Sequence, residues 1–160
     1  MDEQCERGIT EVAEGPSICT PESEDAKHPT ALQEESAFGT KIWLNRPFDE
    51  TLGAVRSALT AEGFRIVGEI DVTDSDVKYV ILEAWHSTYA RQALRADMDM
   101  GLVMPHNVVV FERSEGTVVA AVDPITQFRL VDGSELHDLA VAIKQKLQDV
   151  LDRVAGTGIG

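Results

Sequence analysis

Two histidines and one aspartate offer most of the chemistry in this sequence. His86 follows an apolar run ending in Trp85, His106 follows Met104-Pro105, and Asp123 precedes Pro124. Two imidazoles and a carboxylate form a possible donor set for a facial metal triad, and equally an acid/base pair. Imidazole also accepts Zn²⁺ or haem iron, so a divalent metal or haem is the cofactor class these ligands admit. Arg65 would add a cation, Trp85 and Tyr89 an aromatic wall, and Met104, with Met98 and Met100, an adaptable apolar lining. These residues lie far apart in sequence, unlike an HExxH pair presented by one helix. Plainer uses stand beside the chemical ones. His106 can hydrogen-bond a loop carbonyl, His86 can flank a helix start, and Asp123-Pro124 is a common turn pair.

The positions gain meaning from the elements that must carry them. A short strand is predicted at 41–44 and is broken by Pro47. Asp49 is placed to cap a helix, with Phe48 as its staple, and Leu52, Val55 and Leu59 keep helical spacing until Glu62-Gly63 ends it. Residues 65–72 alternate, with Ile66, Ile70 and Val72 on one face. Residues 78–85 alternate too, placing Glu83 mid-strand and opposite in sense to Leu82 and Ala84. Ser87 is placed to cap a helix reaching Asp97. Strands at 107–112 and 117–122 flank the turn Ser114-Glu115-Gly116. Ser134 is placed to cap a last helix of about 20 residues, whose stripe runs Leu136, Leu139, Ala140, Ile143, Leu147, Val150, Leu151, Val154. His137 falls on its polar side.

The order is therefore β-α-β-β-(α)-β-β-α, an α+β domain with a mainly antiparallel sheet covered by a long C-terminal helix. In such a meander the end of the third strand, the start of the fourth and the end of the fifth meet at one edge. His86, His106 and Asp123 are thereby expected together, with Arg65 at the same end.

Composition bounds the rest. The chain has 160 residues, 28 acidic and 14 basic, and a net charge of −14. Such a charge repels polyanions, so nucleic-acid and anionic-membrane partners are not expected. No stretch approaches the length of a membrane span. Residues 1–38 are rich in Asp and Glu, interrupted by Pro16, Pro21 and Pro29, and read as a disordered acidic tail. They contain both cysteines, Cys5 and Cys19, expected as reduced thiols of a cytoplasmic protein, and His28, expected to be solvated. Residues 39–155 form one domain, and 156–160 a frayed end after Gly156.

Several passages together resemble a known family. They are Phe48 to Leu59 with Phe64, the run 79–85 with its following helix, 102–112 (LVMPHNVVVFE), 119–124 (VAAVDP) and the helix from Ser134. The chain is similar over roughly 40–154 to the bacterial and archaeal domain-of-unknown-function 302 family. The resemblance implies a small α+β fold of the TATA-binding-protein-like, helix-grip kind and a homodimer, and it implies no established activity. Many relatives carry Cys directly after this Pro, where this chain has His106, and Asn-Pro where it has His86-Ser87. A thiol-based role is therefore not expected of this chain, and two imidazoles stand at those positions.

The reading that follows is a small-molecule-binding domain. A cavity between sheet and long helix would hold an apolar ligand, and His86, His106 and Asp123 would line its polar end. The alternative is a small isomerase, cyclase or lyase using His86 or His106 as general acid/base. A third reading is recruitment of a partner through the acidic tail.

Overall fold

A computed structural model describes residues 31–74 and 76–156 of the chain. The expectations placed on residues 1–30, including Cys5, Cys19 and His28, and on 157–160 lie outside the described residues. The architecture is α+β, with a six-stranded antiparallel sheet in the order β1-β2-β6-β5-β4-β3. The strands are β1 (Ala31–Glu35), β2 (Gly39–Leu44), β3 (Arg65–Asp71), β4 (Tyr79–Trp85), β5 (His106–Arg113) and β6 (Gly116–Val122). The helices are α1 (Phe48–Ala61), α2 (Ser87–Ala96), α3 (Pro124–Phe128) and α4 (Ser134–Ala155), with a 3₁₀ turn at Met98–Leu102.

β1 lies within the segment assigned to the tail. Its side chains are mostly exposed, and main-chain pairing with β2 holds it, Ala31 opposite Leu44 and Glu35 opposite Thr40. The ordered chain therefore begins at least as early as residue 31, not 39. A strand that buries almost nothing leaves no hydrophobic period to read.

Helix α1 starts two residues earlier than the capping pattern implies. Pro47 is its N-cap, and Asp49 and Glu50 sit in the first turn, where carboxylates complement the helix dipole. Ser87 and Ser134 are first helical residues, and His86 and Gly133 occupy the cap positions. Asp123 does cap a helix: its Oδ1 accepts the Ile125 amide, starting the short α3 that sequence reading took as a turn.

One face of the sheet meets the helices. Ile42, Leu44, Leu82, Ala84, Val108, Val110, Val119 and Ala121 point that way and are buried. α4 supplies the opposing layer with Leu136, Ile143, Leu147, Val150 and Leu151, and α1, α2 and α3 each pack on it. Among the described residues no helix lies on the other face. Its residues are unusually apolar for a surface: Trp43, Tyr79, Ile81, Val109, Phe111 and Ala120 are all half-buried among one another.

Strand β3 departs from simple alternation. A register shift between Ile66 and Gly68 puts Ile66 opposite Ala84, on the helix side, and Ile70 opposite Ile81, on the open side. Ile66 and Ile70 therefore lie on opposite faces. A bulge adds one residue to one strand and flips everything beyond it. Among the described residues no helix is long and apolar enough to cross a membrane.

Candidate functional site

The backbone brings the expected positions to one end of the sheet. Ala84 pairs with His106, two residues before His86, and Val108 pairs with Ala121, two residues before Asp123. Arg65 pairs with Trp85 at that same end and is exposed. The side chains then part company.

His86 sits at the start of α2, and its carbonyl accepts the Ala90 amide at 2.9 Å. Its ring stacks on Tyr89 with centroids 4.3 Å apart and meets the edge of Phe64 at 5.3 Å. Nε2 faces Gly63, where a Cβ would lie 3.0 Å away. Gly63 has φ +86°, so glycine is required there both by conformation and by the imidazole beside it. Nδ1 is buried and has no hydrogen-bond partner among the described residues. Burial, reinforced by the Lys146 ammonium, holds the imidazole below its ordinary pKa and so neutral at pH 7.

His106 is 3% exposed. Its Nδ1 lies 3.0 Å from Gln127 Oε1, while Gln127 Nε2 donates to the Val103 carbonyl at 3.3 Å. Because the amide nitrogen is engaged with a carbonyl, the oxygen faces the histidine, and Nδ1 must carry the proton. Burial also lowers this imidazole's pKa, against the raising effect of the Gln127 hydrogen bond. The partner Gln127 was not foreseen; it lies on α3, the helix the sequence did not reveal.

Asp123 is engaged elsewhere. Oδ1 accepts the Ile125 amide and Oδ2 the Thr126 hydroxyl, both at 3.0 Å, and Lys144 Nζ lies 3.6 Å from Oδ1. His86 and His106, with Trp85, Tyr89 and Met104, line one narrow crevice that leaves no volume for a water molecule. Asp123 lines a different crevice, beside Lys144. The proposed metal set of His86, His106 and Asp123 is therefore not assembled, and among the described residues no group of three or more His, Cys, Asp or Glu side chains could hold a metal ion. Met104 and Met100 are core residues, and Met98 is exposed.

The cavity expected between sheet and α4 is filled. Ile143, Leu147, Val150 and Leu151 are each at most 2% exposed and occupy that space with their own side chains. The long helix is close-packed onto the sheet, and among the described residues these side chains fill the space where the cavity was expected.

A polar cluster that the sequence reading missed adjoins His86. Glu62, nearly buried at the end of α1, accepts from Lys146 Nζ at 2.9 Å and Arg153 Nε at 2.5 Å. The Lys146 hydrogen bond, then that of Arg153, hold the carboxyl below the usual glutamate range, and burial opposes them. Lys146 is correspondingly raised by Glu62. The signal was available: Lys146 and Arg153 are seven residues apart, two turns on one side of α4.

Besides an open hollow of about 430 Å³ between α2 and the start of α4, two more are roomier than these crevices. One, of about 570 Å³, adjoins the β5–β6 turn and mixes Arg46 and Arg113 with Glu112 and Glu115. Arg46 there is already used, donating to the Val154 carbonyl at 3.2 Å and pairing with Glu50. The other, of about 250 Å³, lies on the open face of the sheet among Phe38, Tyr79, Val109 and Phe111, with Lys41 and Asn107 at its margin. Tyr79 and Phe111 stack 5.3 Å apart along its floor.

Comparison with known proteins gives matches in accord. The family model described as "Domain of unknown function DUF302" matches residues 41–154. Among solved structures, the fold is similar to "uncharacterized conserved protein DUF302 from Bacillus stearothermophilus", with 23% sequence identity and a TM-score of 0.70. The similarity covers 74% of this chain and 99% of that one. At that identity the likeness is one of fold. No curated protein matches the chain.

Proposed function

The chain belongs to the domain-of-unknown-function DUF302 family, and from that premise we propose that it is a small-molecule-binding module whose working surface is the open face of the sheet. The observation that carries the proposal is the hollow of about 250 Å³ on that face. Binding sites are concave, mostly apolar and edged by a few polar groups. The stacked Tyr79 and Phe111 with Val109 give the apolar floor, Phe38 stands 83% exposed at the rim, and Lys41 and Asn107 supply a cation and an amide. That set suits a small aromatic or aliphatic molecule with one anionic end.

The test is a fluorescence titration with 1-anilinonaphthalene-8-sulfonate, which has both features. Saturation at one probe per chain is expected, with about a tenfold loss of affinity in Phe111→Ala, roughly the worth of one aromatic contact, and no loss in His86→Ala. Equal affinity in wild type and Phe111→Ala would defeat the proposal.

A second reading, a small isomerase, cyclase or lyase, draws on one observation. Burial favours the neutral form of both His86 and His106, the state a general base requires. In that reading the two imidazoles serve the same end of the sheet, and any turnover disappears in both His86→Ala and His106→Ala.

A further inference from the structure

We propose that the hollow on the open face takes a planar aromatic monocarboxylate, and that Phe38 selects it by closing over the ring. The inference rests on the open face being the binding surface. The depression has its cause in the strand register. Lys41, Ala120 and Val109 form one cross-strand row. The next row on the same face runs Trp43, Val118, Phe111, Tyr79. Such rows lie about 7 Å apart. Ala120 is the smallest side chain of the two rows, so the surface dips there. On the other side of the dip Gly39 adds no side chain, and none fits, because a Cβ would collide with the Ala121 carbonyl oxygen.

Aromatic surface bounds the dip at both ends. Tyr79 and Phe111 lie at one end, their ring planes within 13° of each other. Phe38 stands at the other, in the connection between β1 and β2. Its backbone is fixed. The Ser36 amide donates to the Gly39 carbonyl at 2.8 Å, the Gly39 amide to Ser36 Oγ at 3.2 Å, and the Asp123 amide to the Phe38 carbonyl at 2.9 Å. Only the side-chain torsions of Phe38 are left to turn. A phenyl on a pinned backbone loses little freedom when it swings onto a guest, and it gains burial that the empty site does not give it. Ring-on-ring contact then favours an aromatic guest over a saturated one of the same skeleton.

The polar margin sets the charge of the guest. Lys41 is half-buried and makes no ion pair among the described residues, although Glu34 is its cross-strand neighbour. In a chain of net charge −14 an anion is held only where a cation is presented locally. A ring resting on Ala120 lies one cross-strand step, about 5 Å, from the Lys41 Cβ. That is within reach of the ammonium, and Asn107 offers a side-chain amide from the margin of the hollow. Two carboxylates stand beyond these groups, Glu34 opposite Lys41 and Glu83 opposite Asn107. A second negative group on the guest would meet one or the other. One cation flanked by two carboxylates thus admits a single negative charge and disfavours dicarboxylates and phosphate dianions.

Competition against the anilinonaphthalene probe on the full chain tests this. 2-Naphthoate should displace the probe. Its ring-saturated analogue, decahydro-2-naphthoate, should bind about fivefold more weakly, roughly the worth of the ring contacts. Naphthalene-2,6-dicarboxylate should also bind at least about fivefold more weakly, because its second charge meets Glu34 or Glu83. Phe38→Leu keeps apolar bulk at an exposed position, and it should bring the aromatic and saturated acids within about twofold of each other. Lys41→Met should cost 2-naphthoate about fivefold and leave neutral 2-naphthamide unchanged. A bound probe that 2-naphthoate does not displace overturns the inference and spares the ligand reading. Equal affinity for the aromatic and saturated acids does the same, as does a dicarboxylate that binds as tightly as the monoacid. A ring preference that survives Phe38→Leu overturns the role of Phe38. Should the probe itself not bind in a Phe111-dependent way, the ligand reading is defeated and the inference falls with it.

Discussion

Leu147→Ala tests whether α4 seals the sheet as tightly as its burial indicates. Leu147 is 2% exposed and lines a crevice with Thr40, Ala121 and Leu151 that is already almost without volume. The substitution removes three carbon groups, worth about 2.4 kcal/mol of transfer free energy at roughly 0.8 kcal/mol each. The space left is on the order of 75 Å³ if nothing collapses, adding about 1.8 kcal/mol at roughly 24 cal/mol per Å³. Collapse is opposed on every side, since Ile143, Val150 and Leu151 are at most 1% exposed and the sheet beneath is fixed by strand pairing. The expected loss is therefore about 4 kcal/mol, read from urea unfolding followed by circular dichroism. Val141→Ala, on the exposed side of the same helix, should change stability by less than about 0.5 kcal/mol. A loss at Leu147 below about 1.5 kcal/mol would refute the close-packed layer and reopen the case for a ligand cavity under the helix.

Two further perturbations address the neighbourhood of His86. Gly63→Ala forces a Cβ into a left-handed residue and against His86 Nε2; a loss of about 1–2 kcal/mol is expected by urea unfolding, with a shift of the His86 ring resonances, and neither change would be seen if the turn could relax. Glu62 has its folded pKa lowered by Lys146 and Arg153, so its stabilisation is full above the ordinary glutamate pKa and is lost as pH falls through the folded value. The melting temperature of Glu62→Gln should accordingly decline less steeply than wild type below the ordinary glutamate range, and parallel curves would show that the ion pairs contribute nothing.

Much of the fold could be read because its elements bury one side. The stripe from Leu136 to Val154 repeats at helical spacing and is α4. The alternation at 79–85 is β4, and the turn at Ser114-Glu115 joins β5 to β6. β1 stayed hidden because Leu32, Gln33, Glu34 and Glu35 are exposed and the strand is held by backbone pairing. Ile66 and Ile70 were placed together because a bulge leaves no trace in residue spacing.

The candidate site was legible only to the level of the backbone. Strand order puts residues 86, 106 and 123 at one end of the sheet, as the antiparallel pairing requires. Where a side chain points depends on partners that strand order does not specify. Gln127 turns His106 inward to α3, Lys144 and the α3 amides hold Asp123, and Phe64 and Tyr89 enclose His86. The Gln127, Lys144 and Phe64 pairings have no fixed spacing that a single sequence displays, whereas the Asp123 cap and the His86–Tyr89 stack are local.

The two outermost strands have a bearing on how this molecule behaves when crowded. An unpaired strand edge is a template on which identical chains polymerise into fibres. β1 meets solvent with Glu34 and Glu35, and β3 meets it with a bulge flanked by Arg65, Glu69 and Asp71. Like charges repel a second β1, and the bulge spoils the straight ladder that a second β3 would need. Lateral sheet extension is thus opposed at both margins, which steers so apolar a sheet away from amyloid-like growth.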